Sequence, residues 1–508
     1  MSGSGQRFRY LFTSTKGLIL VAAALVSIVA AVMSTLSGPM VEWGVRDFTV
    51  NLLGMDLVEA EREGRIVMLY HSIAMPIVAI LVYLMTATIR MKESMAAYIN
   101  ATVTVGYIMA MFSGLGYAYF GHSMTLHSIW LFSLSLIFFS GVILAVAVWP
   151  WNEEYYLPAD SLKAHTKKGV DLERVAYWVV IVAALGSAML GAWAGSYYGS
   201  AFETFLAEDT VRHPEKSALD LAVIGHLHIM LALMGIVITL IVGNWFKFKG
   251  IWHKLAMPSM VLGTFTLTLG AWAVVPYEDI AHTIIYVGAT FSMMGGLFLV
   301  VFGLPQIIKD RIAEQGIQKP TLWQKTKALL HDPLRFGVLW QMVYMNFVTS
   351  FVGIFMAIEL DNIMRVWPHR EERIELNGHW HILSVIIAIM ILFYFADRIG
   401  LKGKARQIFG WTIIIGSDIA FAAMTVYALK RLAVTEYMQQ PIVNKTMILT
   451  DIGLASVLIM LAIFLTWRLI DLFKRNGLWK RELEIGGFEA TPRDEVEKTK
   501  TKKKEMRR

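Results

Sequence analysis

Twelve stretches of this 508-residue chain are long and apolar enough to cross a bilayer, and that feature excludes most of the folds otherwise open to it. A span needs about 20 predominantly apolar residues. Such runs fall near residues 17–36, 67–89, 99–120, 127–149, 174–197, 218–243, 255–275, 281–304, 336–358, 379–397, 409–429 and 446–472. Composition agrees: 56% of residues are hydrophobic and only 17% charged, where a soluble chain carries about 25% charge. The prediction is an all-α polytopic membrane protein with twelve transmembrane helices. A short segment over 1–16 precedes the membrane domain at 17–472, and a basic tail follows at 473–508. Arg7, Arg9 and Lys16 before the first run resemble the start of a secretory signal. The run is long and Ser34 to Gly38 is a weak cleavage site, so the helix is predicted to be retained.

Charge in the connecting loops alternates. Arg90 and Lys92, then Lys163, Lys167 and Lys168, then Lys247, Lys249 and Lys254, then Lys309 through Lys327, then Arg398, Lys402, Lys404 and Arg406 all follow even-numbered spans. Loops after odd spans are acidic or nearly neutral, the first carrying Glu42, Asp47, Asp56, Glu59, Glu61 and Glu63. The excess of basic residues on one side puts both termini in the cytoplasm and the chain in the cytoplasmic (inner) membrane. The tail from Lys498 to Arg508 supplies most of the net charge of +7 and reads as a solvated, membrane-proximal segment, not as a nucleic-acid site. The loop over 305–335 reads as a helical connector.

The chain has no cysteine. That excludes a disulfide, a cysteine-ligated iron–sulfur cluster, a covalent c-type haem, a thiolate copper centre and a cysteine nucleophile. Metal chemistry here must rest on histidine, carboxylate, methionine or tyrosine. Seven of the thirteen histidines (His122, His127, His165, His213, His253, His331 and His369) fall in loops or at span edges and read as solvated or interfacial. The other six open even-numbered spans: His71 in span 2, His226 and His228 in span 6, His282 in span 8, His379 and His381 in span 10. Their depth is therefore similar, near the outer face. Ionisable groups at lipid depth are costly and mark functional sites, and histidines on apolar helices in one layer are what bis-histidine haem requires. Residues two apart on a helix point about 200° apart around its axis. Each His-x-His pair is therefore suited to two cofactors flanking the helix, not to chelating one ion.

These residues bring a family into view. Twelve spans, "RIVMLYHSIAMP" in span 2, histidine opening spans 6 and 8, and "NGHWHILSV" in span 10 resemble the catalytic subunit of the haem-copper oxidase superfamily, which includes cytochrome oxidases and nitric oxide reductases. The resemblance implies that His71 and His381 are axial ligands of a low-spin haem and that His379 is the proximal ligand of a second haem. It places His226 and His282 where the family binds copper or non-haem iron, and it assigns Lys430 and Arg431 to the haem propionates. The chain departs from the family at Met230, where tyrosine or glutamate is usual. It also departs at Ala281 before His282, where the family has adjacent histidines, and at the additional His228. The usual proton routes lack their residues: span 8 holds no lysine, and Glu93 is the lone acid of the 2–3 loop.

Two arrangements follow. In one, His226, His228 and His282 form a rearranged copper or iron site, and the protein is a terminal oxidase or nitric oxide reductase. In the other, which "GHLHIML" fits better, a further haem replaces that metal, and the protein is a b-type cytochrome subunit conducting electrons through bis-histidine haems. Two or more haems of b type, or a or o type, are implied, within a multi-subunit respiratory complex. The electron donor is a cytochrome c-bearing subunit, a soluble cytochrome or a quinol, with acidic loops near 42–63 and 198–217 as docking surfaces for a basic partner. Tyr286, four residues after His282, is a candidate redox or proton-donating residue. Glu278, Asp279, Glu359 and Asp361 lie near the histidine level as loop acids, while Asp418 and Asp451 read as helix–helix contacts or part of a polar path. The 29 methionines read as packing, and Trp43, Trp149, Trp151, Trp245, Trp252, Trp367 and Trp411 as an aromatic belt. A twelve-span secondary transporter is the rival, disfavoured because polar residues crowd the outer ends and the midplanes are mostly unbroken.

Overall fold

In lipid each backbone N–H and C=O must be bonded within its own segment, so a chain of separate apolar runs resolves into helices. The computed structural model describes residues 3–37, 43–55, 57, 62–121, 123–158, 160–198, 218–359, 362 and 369–485. Glu42, Asp56, Glu59, Glu61, His122, His213, Asp361, Trp367, most of the 198–217 loop and the tail from Lys498 to Arg508 lie outside them, as do the side chains of Glu63 and His369.

Twelve helices among the described residues are long and apolar enough to span a membrane, and each coincides with a predicted run. They are α1 (Thr15–Ser37), α2 (Arg62–Thr88), α3 (Glu93–Phe120), α4 (Met124–Ala147), α5 (Leu172–Tyr198), α6 (Ala218–Trp245), α7 (Gly250–Ala273), α8 (Glu278–Gln315), α9 (Pro333–Met356), α10 (His369–Arg398), α11 (Gly403–Ala428) and α12 (Glu436–Phe473). The connector after α8 is helical, as expected. Leu322–Leu330 begins with a capping box, in which Thr321 and Gln324 satisfy one another's backbone N–H groups.

The chain divides into two compact units. The first comprises Leu18–Leu299 and Ala357–His369 and holds α1 to the start of α8. Within it α2, α3 and α4 pack in sequence, α5 packs on α6 and α7, and α2 reaches α6. Small residues permit the close approaches. A Cβ on Gly263 would lie 2.5 Å from the Ser292 hydroxyl, and one on Gly288 would collide with the Leu267 backbone, so α7 and α8 meet almost backbone to backbone. Arg174, at the start of α5, donates to the carbonyls of Arg90 (2.7 Å), Ala147 (2.7 Å) and Trp149 (3.3 Å), with its guanidinium 3.8 Å from the Tyr155 ring centre. One buried cation thus ties the ends of α2 and α4 to the start of α5.

The second unit comprises Met1–Gly17, Val300–Met356 and Arg370–Arg508. α11 and α12 form its tightest pair, because a Cβ on Gly453 would fall 2.5 Å from the Gly416 carbonyl. α9 contains a π-helical turn over Tyr344–Thr349, the kind of local widening that often accompanies functional sites. Asp418, inside α11, accepts the Trp340 indole N–H on both oxygens at 3.0 Å, which is the helix–helix role expected of it.

The first and last described helices meet in this unit. A helix at Gly3–Thr13 packs on one at Leu478–Ile485. Arg468, fully buried near the end of α12, donates to Glu482 (2.6 Å) and to the Tyr10 hydroxyl (2.7 Å), and Tyr10 donates to Glu482 (2.7 Å). Asp471 caps the helix at Leu478–Ile485 through the backbone N–H groups of Leu478 and Trp479. Burial and the Glu482 carboxylate both push the Tyr10 hydroxyl well above its usual pKa, so it stays a donor at all ordinary pH.

Candidate functional site

All six in-span histidines sit in the first turns of even-numbered spans, within about 10 Å of the span start at 1.5 Å per residue. Four belong to the first unit and two to the second.

In the first unit, His71 Nδ1 bonds the Val67 carbonyl, one turn back on α2, at 2.8 Å. His226 Nδ1 bonds the Ser187 carbonyl of α5 at 2.8 Å, and His228 Nδ1 bonds the Ile224 carbonyl of its own helix at 2.8 Å. A carbonyl only accepts, so in all three rings Nδ1 carries the proton and Nε2 holds the lone pair. This is how proteins prepare a histidine as a metal ligand, fixing tautomer and ring direction through the far nitrogen. His226 and His228 leave α6 in different directions, His226 half-buried toward α5 and His228 exposed, as their two-residue spacing requires. The His226 ring packs against α5 only because residue 191 is glycine: a Cβ there would fall 2.5 Å from Nδ1 and 2.6 Å from Cε1.

His71 and His226 are brought together. Their ring centres are 6.4 Å apart and the planes are inclined by 15°. Trp130 of α4 meets His71 edge-on, with centres 5.5 Å apart at 89°. His282, half-buried at the start of α8, lies nearly parallel to Tyr286 at 6.4 Å and 17°, so the i+4 relation read from the sequence is a real contact. Among the described residues no group of three or more His, Cys, Asp or Glu is close enough to hold a metal ion.

In the second unit, His379 is half-buried with its ring against Gly353 of α9, where a Cβ would sit 3.2 Å from Nε2. His381 is exposed, so this pair also diverges around its helix. Lys430 is 3% exposed, its ammonium 4.3 Å from the Tyr427 ring centre, and Arg431 beside it is half-buried. These are not the solvated interfacial anchors that a basic pair after a span otherwise suggests.

Two histidines assigned to the solvent by the sequence are instead part of a buried chain, which corrects that expectation for His253 and, in part, for His165. His253 is fully buried. Its Nε2 is 3.4 Å from Glu173, which also accepts from Lys163 at 2.6 Å, and its Nδ1 is 3.2 Å from His165 Nε2. The loop ahead of α5 thereby closes over the start of α7. Burial, then the nearby His253 and Lys254, depress the His165 pKa to about 4. A histidine whose folded value lies below its unfolded value of about 6.5 contributes stability at neutral pH that is lost as pH falls from about 6.5 toward 4, because the unfolded chain takes up the proton first. The melting temperature of detergent-solubilised protein should therefore fall between pH 7 and pH 5, and His165→Gln should flatten that dependence. An unchanged slope in the variant would assign the effect elsewhere. No sequence pattern announced this cluster, since Glu173 and His253 are 80 positions apart.

The chain matches no protein-family model and no curated protein.

Proposed function

We propose that the protein is a haem-bearing membrane cytochrome subunit, similar to the haem-copper oxidase catalytic subunit, which relays electrons within a respiratory complex of the inner membrane. The observation that supports this best is the common preparation of His71, His226 and His228, each with Nδ1 committed to a backbone carbonyl inside an apolar span. A buried imidazole N–H needs an acceptor whether or not the ring binds a metal. What the arrangement adds is the tautomer, with Nε2 the basic nitrogen in three rings near the same end of α2 and α6. Within the first unit the residues leave the ligands their places: Gly191 makes room for the His226 ring and Trp130 walls His71. In the second unit the buried Lys430 offers a positive charge of the kind that suits a propionate.

Haem held by these histidines would supply reversible one-electron chemistry at iron. The chain's own residues orient the ligands, exclude water through the apolar walls and hold each imidazole in one tautomer. Lacking cysteine for a covalent haem or thiolate copper, the subunit takes its electrons from a partner, either a cytochrome or a quinol. The contact of His282 with Tyr286 supports a second reading, in which span 8 serves a reactive oxygen or nitric oxide centre with copper or non-haem iron.

Haem extraction with protein quantitation, together with iron and copper analysis of purified material, tests the proposal. A Soret band and b-type α-bands are expected, with at least two haems per chain. Colourless protein would sink it and leave the transporter. Three haems and no further metal would remove the oxidase reading, whereas two haems with one copper or non-haem iron would remove the pure relay. His228→Ala should cost one haem in the relay, or the non-haem metal with both haems retained in the oxidase.

A further inference from the structure

The geometry points to a specific ligand pairing, which rests on the haem reading above: we propose that His71 of α2 and His226 of α6 are the two axial ligands of one haem iron. This differs from the pairing implied by the family resemblance, where His71 partners His381.

The separation of the rings carries the inference. The chain contains its own ruler in the directly bonded pair His165 and His253. There the nitrogens are 3.2 Å apart and the ring centres 5.2 Å, so the ring bodies add 2.0 Å. Two collinear metal–nitrogen bonds of about 2 Å each would set facing nitrogens about 4 Å apart and ring centres about 6 Å apart. His71 and His226 stand at 6.4 Å. Two ligands of a tetrahedral ion would bring the ring centres to about 5 Å, and a direct hydrogen bond would reproduce the 5.2 Å of the reference pair. The observed ring-centre spacing matches the value for two imidazoles on opposite sides of one metal atom, and exceeds the values for the other two arrangements.

Chemistry and support agree with spacing. In each ring Nδ1 is spent on a carbonyl, Val67 for one and Ser187 for the other, so the nitrogen remaining to each is the ligating one. The two rings are held from different helices, α2 and α5, so neither anchor competes with the other. Their planes differ by only 15°. Near-parallel axial imidazoles split the iron d orbitals strongly and give a well-resolved rhombic low-spin signal. Perpendicular planes give an axial signal with one very large g value.

The experiment is electron paramagnetic resonance and near-infrared magnetic circular dichroism on the full-length protein purified with its native haem, compared with His71→Ala, His226→Ala, His226→Met, His381→Ala and the double variant His71→Ala/His226→Ala. One rhombic bis-imidazole signal should disappear equally in His71→Ala and His226→Ala, and no further signal should be lost in the double variant. His226→Met should replace that signal with a methionine-to-iron charge-transfer band, and added imidazole should restore a bis-nitrogen spectrum to His226→Ala. Elution as a monodisperse peak separates these outcomes from misfolding, and imidazole rescue does so where elution shifts. Loss of the same low-spin signal in His71→Ala and His381→Ala, with His226→Ala and His226→Met unchanged, would overturn the pairing and leave the haem reading intact. Absence of haem from the unmodified protein would overturn both.

Discussion

Arg468→Met should be the most destabilising single substitution in the second unit, by about 3–5 kcal/mol, the cost of stranding a buried charge whose partner has been removed. Arg468 is fully buried, and its guanidinium is the cation that Glu482 and the Tyr10 hydroxyl converge upon, with Lys16 at 3.8 Å from the other Glu482 oxygen. Removing the arginine leaves Glu482 and Asp471 buried among groups that no longer balance them. Glu482→Gln should cost less, because an amide still accepts from Arg468 and Tyr10. The double variant Arg468→Met/Glu482→Met should recover much of the loss, since an apolar pair of similar volume replaces a desolvated ion pair at little net cost. Thermal unfolding in detergent, read by tryptophan fluorescence, checks all three. Additive losses in the double variant would mean that the two residues act separately. Because this cluster joins Gly3–Thr13 to Leu478–Ile485, limited proteolysis of Arg468→Met should release the terminal helices first.

The twelve spans were legible because the signal for each is local: about 20 apolar residues cannot be hidden by any distant partner. His226 and His228 were readable in the same way, since two residues on one helix must diverge whatever surrounds them. The clamp of Arg468 with Tyr10 and Glu482 was not legible. Its members are drawn from the first and last described helices, 458 and 14 positions from the arginine, and in isolation they look like ordinary interfacial residues. His253 was misread for a related reason. A histidine at a span edge is usually wet, and only the return of Lys163 and Glu173 from another loop covers it. The neighbourhood of His71 and His226 lay between these cases. Both residues stood out as ligand candidates from their depth, yet which two rings face each other depends on α2 reaching α6, and no spacing along the chain encodes that.

On the proposed pairing of His71 with His226, Gly191→Ala should weaken haem retention by about 10- to 100-fold, the range typical of losing a contact that orients a metal ligand, while leaving the fold in place. A Cβ at residue 191 would enter the van der Waals shell of the His226 ring at Nδ1, Cε1 and Cγ, at 2.5, 2.6 and 2.9 Å. Helix α5 is fixed by its packing on α6 and α7 and by the Arg174 bonds at its start, so the backbone does not yield. The imidazole does, by swinging about its own side-chain torsions. That swing breaks the bond from Nδ1 to Ser187 and frees the tautomer, so Nε2 is no longer reliably the basic nitrogen. Alanine is a better helix former than glycine, by about 1 kcal/mol at an unstrained interior site, so a general loss of helix stability would not account for the defect. The readout is haem occupancy and the low-spin signal, set against an unchanged melting temperature for the haem-free protein. Gly195→Ala is the control on the same helix four residues on, where an added Cβ meets nothing within 4 Å and should leave both quantities as they are. Equal effects at 191 and 195 would trace the defect to α5 as a whole. An effect at 191 alone traces it to the one ring that lies there.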